Sequence, residues 1–148
     1  MTNSDINEGK KNLLLIVEDE KILSKTMNEK FSQEGYSVIQ AYDGVQGLKL
    51  AKQNHPDLIL LDLLMPKMDG MSMLKELRND IWGKKVPVII LTNLSANDED
   101  RLKAVVELEP TYYFEKVDKG LEEIVETIKD RLAYKEQKTD KNSAVQIA

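Results

Sequence analysis

No cysteine occurs among the 148 residues, which excludes a disulfide framework, a thiolate metal site and a cysteine nucleophile. Histidine is nearly absent too. His55 is the single example, so neither a two-histidine metal site nor an internal histidine-to-aspartate relay can be built. Positive charge is in deficit, with 21 Lys and Arg against 26 Asp and Glu and a formal net charge of −5. Neutralising phosphates needs clustered positive charge, so this balance argues against a dedicated nucleic-acid or anionic-membrane surface. Long apolar runs are also missing. None approaches the roughly 18 residues needed to span a bilayer, and Met1 to Lys11 has no apolar stretch of a secretory signal. These absences place the expected location in the cytoplasm.

What remains is the composition of one folded unit. Apolar residues make up 41% and charged residues 32% of the chain, enough to bury a core and keep a solvated surface. Three short apolar runs, Leu13 to Val17, Leu58 to Leu61 and Val88 to Leu91, each stop at a polar residue. Runs of this length suit strands buried on both faces. Weaker strands fit Ser37 to Ala41 and Tyr112 to Phe114. Between them lie segments of helical periodicity. Leu23, Met27 and Phe31 form one stripe, Leu48 and Ala51 another, Leu74, Leu77 and Ile81 a third. Leu121, Ile124, Val125, Ile128 and Leu132 make the clearest apolar face. Strand and helix alternate five times, which implies parallel strands joined by right-handed crossovers. The expected fold is α/β, a doubly wound five-stranded parallel sheet flanked by five helices. It should run from residue 12 to residue 134, with polar tails over 1–11 and 135–148.

Ligands of an open parallel sheet bind beyond the carboxyl ends of its strands. Here those ends are acidic: the first run stops at Glu18, Asp19 and Glu20, the third strand at Asp62. If the first and third strands are neighbours, Glu18, Asp19 and Asp62 converge. Two unit charges about 4 Å apart repel by roughly 4 kcal/mol at an effective dielectric near 20, so such a cluster calls for a cation. Oxygen-only ligation favours Mg²⁺ or a similar hard ion such as Mn²⁺. The fourth strand ends at Thr92, a hydroxyl, and the fifth is followed by Lys116, a mobile point charge. A metal, a hydroxyl and an ammonium around one carboxylate suit phosphoryl transfer onto that carboxylate, with Asp62 as nucleophile.

Five motifs, Ile16 to Asp19, Pro56 to Asp62, Met65 to Gly70, Pro87 to Thr92, and Lys116, stand in an order that closely resembles the receiver domain of two-component response regulators. The resemblance implies a flavodoxin-like (CheY-like) fold with strand order 2-1-3-4-5. It implies that Asp62 accepts phosphate from a histidine kinase or phosphotransfer protein, or from a small phosphodonor. Glu18, Asp19, Asp62 and the backbone carbonyl of Leu64 are then the metal ligands. Thr92 and Tyr113 correspond to the switch pair, and Lys116 to the lysine that contacts the phosphoryl group. Output partners are expected on the face of the fourth helix, fifth strand and fifth helix, which is also where a homodimer would form. The chain is similar to a single-domain regulator that acts on a downstream protein target and catalyses only its own phosphorylation and dephosphorylation.

Two positions depart from the family pattern. Val117 follows Lys116 where proline is usual, and a non-proline cis bond costs about 2.5–4 kcal/mol, so a trans bond is expected there. Asn93 follows Thr92 where a small residue is usual. Leu64 and Leu94 offer no polar group to orient an attacking water, which implies slow self-dephosphorylation. Other readings are weaker. A metal-dependent phosphohydrolase needs a second acid where Leu64 stands. A flavodoxin-like nucleotide binder needs a Gly-rich loop where Glu18, Asp19 and Glu20 stand. A phosphorylation-independent interaction module would not require Thr92 and Lys116 beside the acidic residues.

Overall fold

The computed structural model describes residues 11–63, 65, 67–92, 103, 106–107, 112–115 and 120–133, with Thr92 and 112–115 described as backbone only. Five parallel strands form one sheet in the order β2-β1-β3-β4-β5. They are β1 Leu13–Val17, β2 Ser37–Ala41, β3 Leu58–Leu61, β4 Val88–Thr92 and β5 Tyr112–Glu115. Helices α1 Lys21–Gln33, α2 Gly44–Asn54 and α3 Gly70–Asn79 fill the first three crossovers. Between β4 and β5 the described residues 103, 106 and 107 are helical, as are 121–133. The chain divides into two compact units, Met1–Asp118 and Lys119–Ala148. Among the described residues no helix is long and apolar enough to cross a membrane.

The central strands are apolar throughout because both their faces are covered. Leu15, Val17, Ile59, Leu61, Val88 and Ile90 point to one side and join Leu48 and Ala51 of α2 and Met73, Leu74 and Leu77 of α3 in a single buried cluster. By the alternation of the pleat, Leu14, Ile16, Leu58, Leu60 and Ile89 face the other side and are equally buried. Helix α1 packs on β1 and β2, burying Ser24, Met27 and Phe31. The α/β, doubly wound expectation is met.

Two helical stripes differ from expectation. Ser24 replaces Leu23 on the buried face of α1, since Gln40 of β2 donates to the Ser24 hydroxyl at 2.7 Å and so satisfies it without water. Ile81 does not extend the α3 stripe and is 92% exposed. Helix α3 stops at Asn79 because the chain is drawn into a turn. Asp80 accepts from the Gly83 N–H at 2.9 Å, and Arg78 donates to the Gly83 and Val86 carbonyls at 2.8 and 2.9 Å. His55 caps the end of α2 in the left-handed region (φ 46°) and stacks on Trp82, ring centroids 4.4 Å apart. Its role is structural.

Asp43 and Asp69, each followed by glycine, serve as helix N-caps. The Asp43 carboxylate accepts from the Gln46 N–H and that of Asp69 from the Ser72 N–H, both at 2.8 Å. The bond from Gln46, aided by the charge of Lys67 and opposed by desolvation, holds the Asp43 carboxyl below its usual value of 3.8. A depressed carboxylate adds stability above its unfolded value and loses it as pH falls through the folded one. Asp43→Ala should therefore cost about 1 kcal/mol at pH 7. Urea unfolding should show that cost shrinking as pH drops below 3.8.

Candidate metal centre

Strand register builds the site. Val17 is paired with Leu61 and with Ala41, so the next residue along β1, Glu18, lies beside the next residue along β3, Asp62. Backbone bonds continue the ladder past the strand ends: the Asp62 N–H donates to the Val17 carbonyl and the Glu18 N–H to the Ala41 carbonyl, each at 3.0 Å. Each of these apolar runs, buried on both faces, ends abruptly at a charged residue, so a slip by one residue would set Glu18 or Asp62 against an apolar partner inside the ladder. The same burial carries the acids inward. Glu18 and Asp62 are only 1% and 4% exposed, with Asp19 half-buried beside them.

One carboxylate oxygen from each of Glu18, Asp19 and Asp62 lies within 4.8 Å of the others. Glu18 also accepts from the Glu20 N–H at 3.2 Å, which turns the chain from β1 toward α1. Three oxygen donors with no nitrogen or sulfur among them fit a hard divalent cation that keeps several of its waters. Two of them sit where water has little access and charges are poorly screened. The donor set therefore fits Mg²⁺.

The described residues of the loop after Asp62 are tied to the starts of α2 and α3. The Gly70 N–H donates to the Leu63 carbonyl at 3.0 Å, and the Gly44 N–H to the Met68 carbonyl at 3.1 Å. Neither glycine has room for a side chain: a Cβ at Gly70 would lie 2.3 Å from the Asp62 carbonyl oxygen, and one at Gly44 would lie 2.2 Å from that of Met68. Met65, Met68 and Met71 lie partly buried against the core, and Met73 is fully buried, so the methionines near Asp62 serve packing.

The structure thus brings together Glu18, Asp19 and Asp62. Thr92 and Tyr113 are placed as backbone at the end of β4 and within β5, Tyr113 opposite Ile90. Leu64, Lys116, Val117, Asn93 and Leu94 lie outside the described residues. Asp43, Gly44 and Gly70 stand where the helices α2 and α3 begin beside the loop after Asp62. Their aspartate–glycine pairs look like turn punctuation in sequence, and their signal is an N-cap aspartate followed by a first helical residue with no room for Cβ.

An acidic rim at the carboxyl edge of a 2-1-3-4-5 parallel sheet defines the class of doubly wound proteins that bind charged ligands at strand ends. The family model described as response regulator receiver domain matches residues 14–129. The chain belongs to that family, the receiver domains of two-component systems. It is 42% identical over 81 residues to the DNA-binding dual master transcriptional regulator RpaA of Synechocystis, covering 55% of this chain and 34% of that protein. The polar-differentiation response regulator DivK of Brucella ovis is 34% identical over 91 residues, covering 61% of this chain and 74% of DivK. The Francisella response regulator 1452 receiver domain superposes with a TM-score of 0.71 at 29% identity, covering 85% of this chain and 98% of that one. The chain spans about a third of the length of the first curated relatives it matches, at 34%.

Proposed function

We propose that this receiver domain is a Mg²⁺-dependent phosphoacceptor switch whose nucleophile is Asp62. The observation that carries this reading is the convergence of Glu18, Asp19 and Asp62 within 4.8 Å. An Asp62 carboxylate oxygen attacks the phosphorus of a phosphohistidine or of a small phosphodonor such as acetyl phosphate. The bond from phosphorus to the donor nitrogen or oxygen breaks, its electron pair leaves with the donor, and an acyl phosphate remains on Asp62. Glu18, Asp19 and Asp62, with the carbonyl of Leu64 by family resemblance, would hold the cation. When bound, the ion supplies positive charge to the equatorial phosphoryl oxygens. Thr92 donates a hydrogen bond to one of those oxygens and Lys116 an ammonium to another. Tyr113 follows Thr92 inward, changing the face of the fourth helix, fifth strand and fifth helix that binds a protein target. A net charge of −5 favours protein partners over phosphate backbones on this reading.

Thermal melting tests the metal half of this proposal. Mg²⁺ at ten times its dissociation constant should stabilise the fold by about 1.4 kcal/mol, a rise of roughly 4 °C for a chain of this size. At a fixed Mg²⁺ concentration the rise should be larger in low salt, where the ion binds more tightly, and should be lost in Glu18→Gln and Asp19→Asn. An unchanged midpoint in the parent chain at 10 mM Mg²⁺ (an amount of about this order saturates weak carboxylate sites) would count against the metal centre.

A further inference from the structure

Residues 41–44, at the junction of β2 and α2, touch both halves of the acidic site. At one end the Ala41 carbonyl accepts from the Glu18 N–H at 3.0 Å; at the other the Gly44 N–H donates to the Met68 carbonyl at 3.1 Å. Glu18 belongs to the β1 side of the rim, and Met68 lies in the loop that follows Asp62. Four consecutive residues thus span the gap between them.

Two contacts bind this junction to the loop, and they differ in strength. Lys67 reaches the Asp43 carboxylate at 3.5 Å, but its side chain is 72% exposed, and exposed ion pairs hold little. The Gly44 contact is backbone against backbone. A Cβ there would lie 2.2 Å from the Met68 carbonyl oxygen and 2.9 Å from its carbon, so it could be accommodated only if the loop itself moved. The far end of that loop cannot absorb the movement, because the Gly70 N–H holds the Leu63 carbonyl at 3.0 Å and Gly70 is itself packed against the Asp62 backbone. The displacement therefore falls on Met68 and its described neighbour Lys67, in the loop that leads back to Asp62.

We infer that Gly44 is a positioning residue for the metal centre, its contact with Met68 setting the loop after Asp62 at the distance from Glu18 that the cation requires. The inference rests on the Mg²⁺-binding reading above. The full-length chain supplies the test, with Mg²⁺ alone as probe and calorimetric titration as the readout. Gly44→Ala should raise the Mg²⁺ dissociation constant about tenfold or more, as losing a support of a metal site typically does. Gly47→Ala is the matched control on the same helix. Its Cβ would meet the side chains of Met73 and Val17, each at 2.9 Å, groups that face the core and can give way without moving the backbone of the rim, so it should lower the melting point while leaving affinity within about twofold. Lys67→Ala should also stay within about twofold.

Equal Mg²⁺ affinity in Gly44→Ala and the parent would overturn the inference while leaving the Mg²⁺ reading intact. So would an equal weakening in Gly47→Ala, which would show that affinity merely follows stability. A parent chain that binds no Mg²⁺ would overturn both. If Gly44→Ala does not fold, amide exchange on the unmodified chain decides the matter, since coupling between two sites is reciprocal. Mg²⁺ should slow exchange of the Gly44 amide about fivefold more than that of Gly47, and equal slowing would overturn the inference.

Discussion

Gly70→Ala is expected to cost this domain about 3 kcal/mol, at the upper end of overpacking penalties. Alanine is the better helix former by up to about 1 kcal/mol, and Gly70 is the first residue of α3, so propensity works in the opposite direction. Space decides the outcome. The new Cβ would sit 2.3 Å from the Asp62 carbonyl oxygen and 2.6 Å from the Leu63 Cα. Both neighbours are backbone, and the Asp62 N–H is already tied to Val17. Relief requires α3 to back away or the Asp62–Leu63 peptide to turn, and the second route moves the proposed nucleophile. Urea unfolding should therefore show the loss of stability, and the Mg²⁺-induced rise in melting point should disappear with it. A loss below about 1 kcal/mol, less than ordinary overpacking, would mean that the close approach is easily relieved.

Leu61→Ala should be as damaging to stability, by about 2–5 kcal/mol, yet leave the site in place. Leu61 is fully buried between β3 and the helices α2 and α3, where truncation leaves a cavity that a packed core refills only in part. Its backbone pairs with Val17 on one side and Ile90 on the other, and those ladders do not depend on its side chain. The fraction that remains folded should keep Glu18, Asp19 and Asp62 together and retain its Mg²⁺ response. Ile22→Ala, at an 85% exposed position on α1, should change stability by less than about 0.5 kcal/mol. A Leu61→Ala variant as stable as the parent would contradict the placement of this side chain in the core.

These two substitutions mark what the sequence made legible. The strands β1, β3 and β4 were readable because a strand covered on both faces must be apolar throughout, and a polar residue marks where cover ends. The same rule exposed the site: Glu18, Asp19 and Asp62 are the residues at which two such runs stop. Their convergence needed only the neighbouring of β1 and β3. Ile81 was misread because its spacing from Leu77 suits a helix, while the turn that ends α3 depends on Asp80 and Arg78 reaching groups several residues ahead. Ser24 was hidden for a related reason, since a hydroxyl becomes a core residue only when a partner such as Gln40 arrives from another element. Gly44 and Gly70 showed in sequence only as glycines after an aspartate, because a close backbone approach is made in three dimensions. The roles proposed for Thr92, Tyr113, Lys116 and Leu64 rest on resemblance to the family and on the chemistry of their side chains and carbonyls.

The most direct test of the proposed phosphoacceptor is intact-mass measurement after incubation with acetyl phosphate and Mg²⁺. The parent chain should gain the mass of one phosphoryl group, should gain nothing when Mg²⁺ is chelated before the donor is added, and should gain nothing as Asp62→Asn. Equal phosphorylation of the parent and Asp62→Asn, or none of the parent with Mg²⁺ present, would contradict the account.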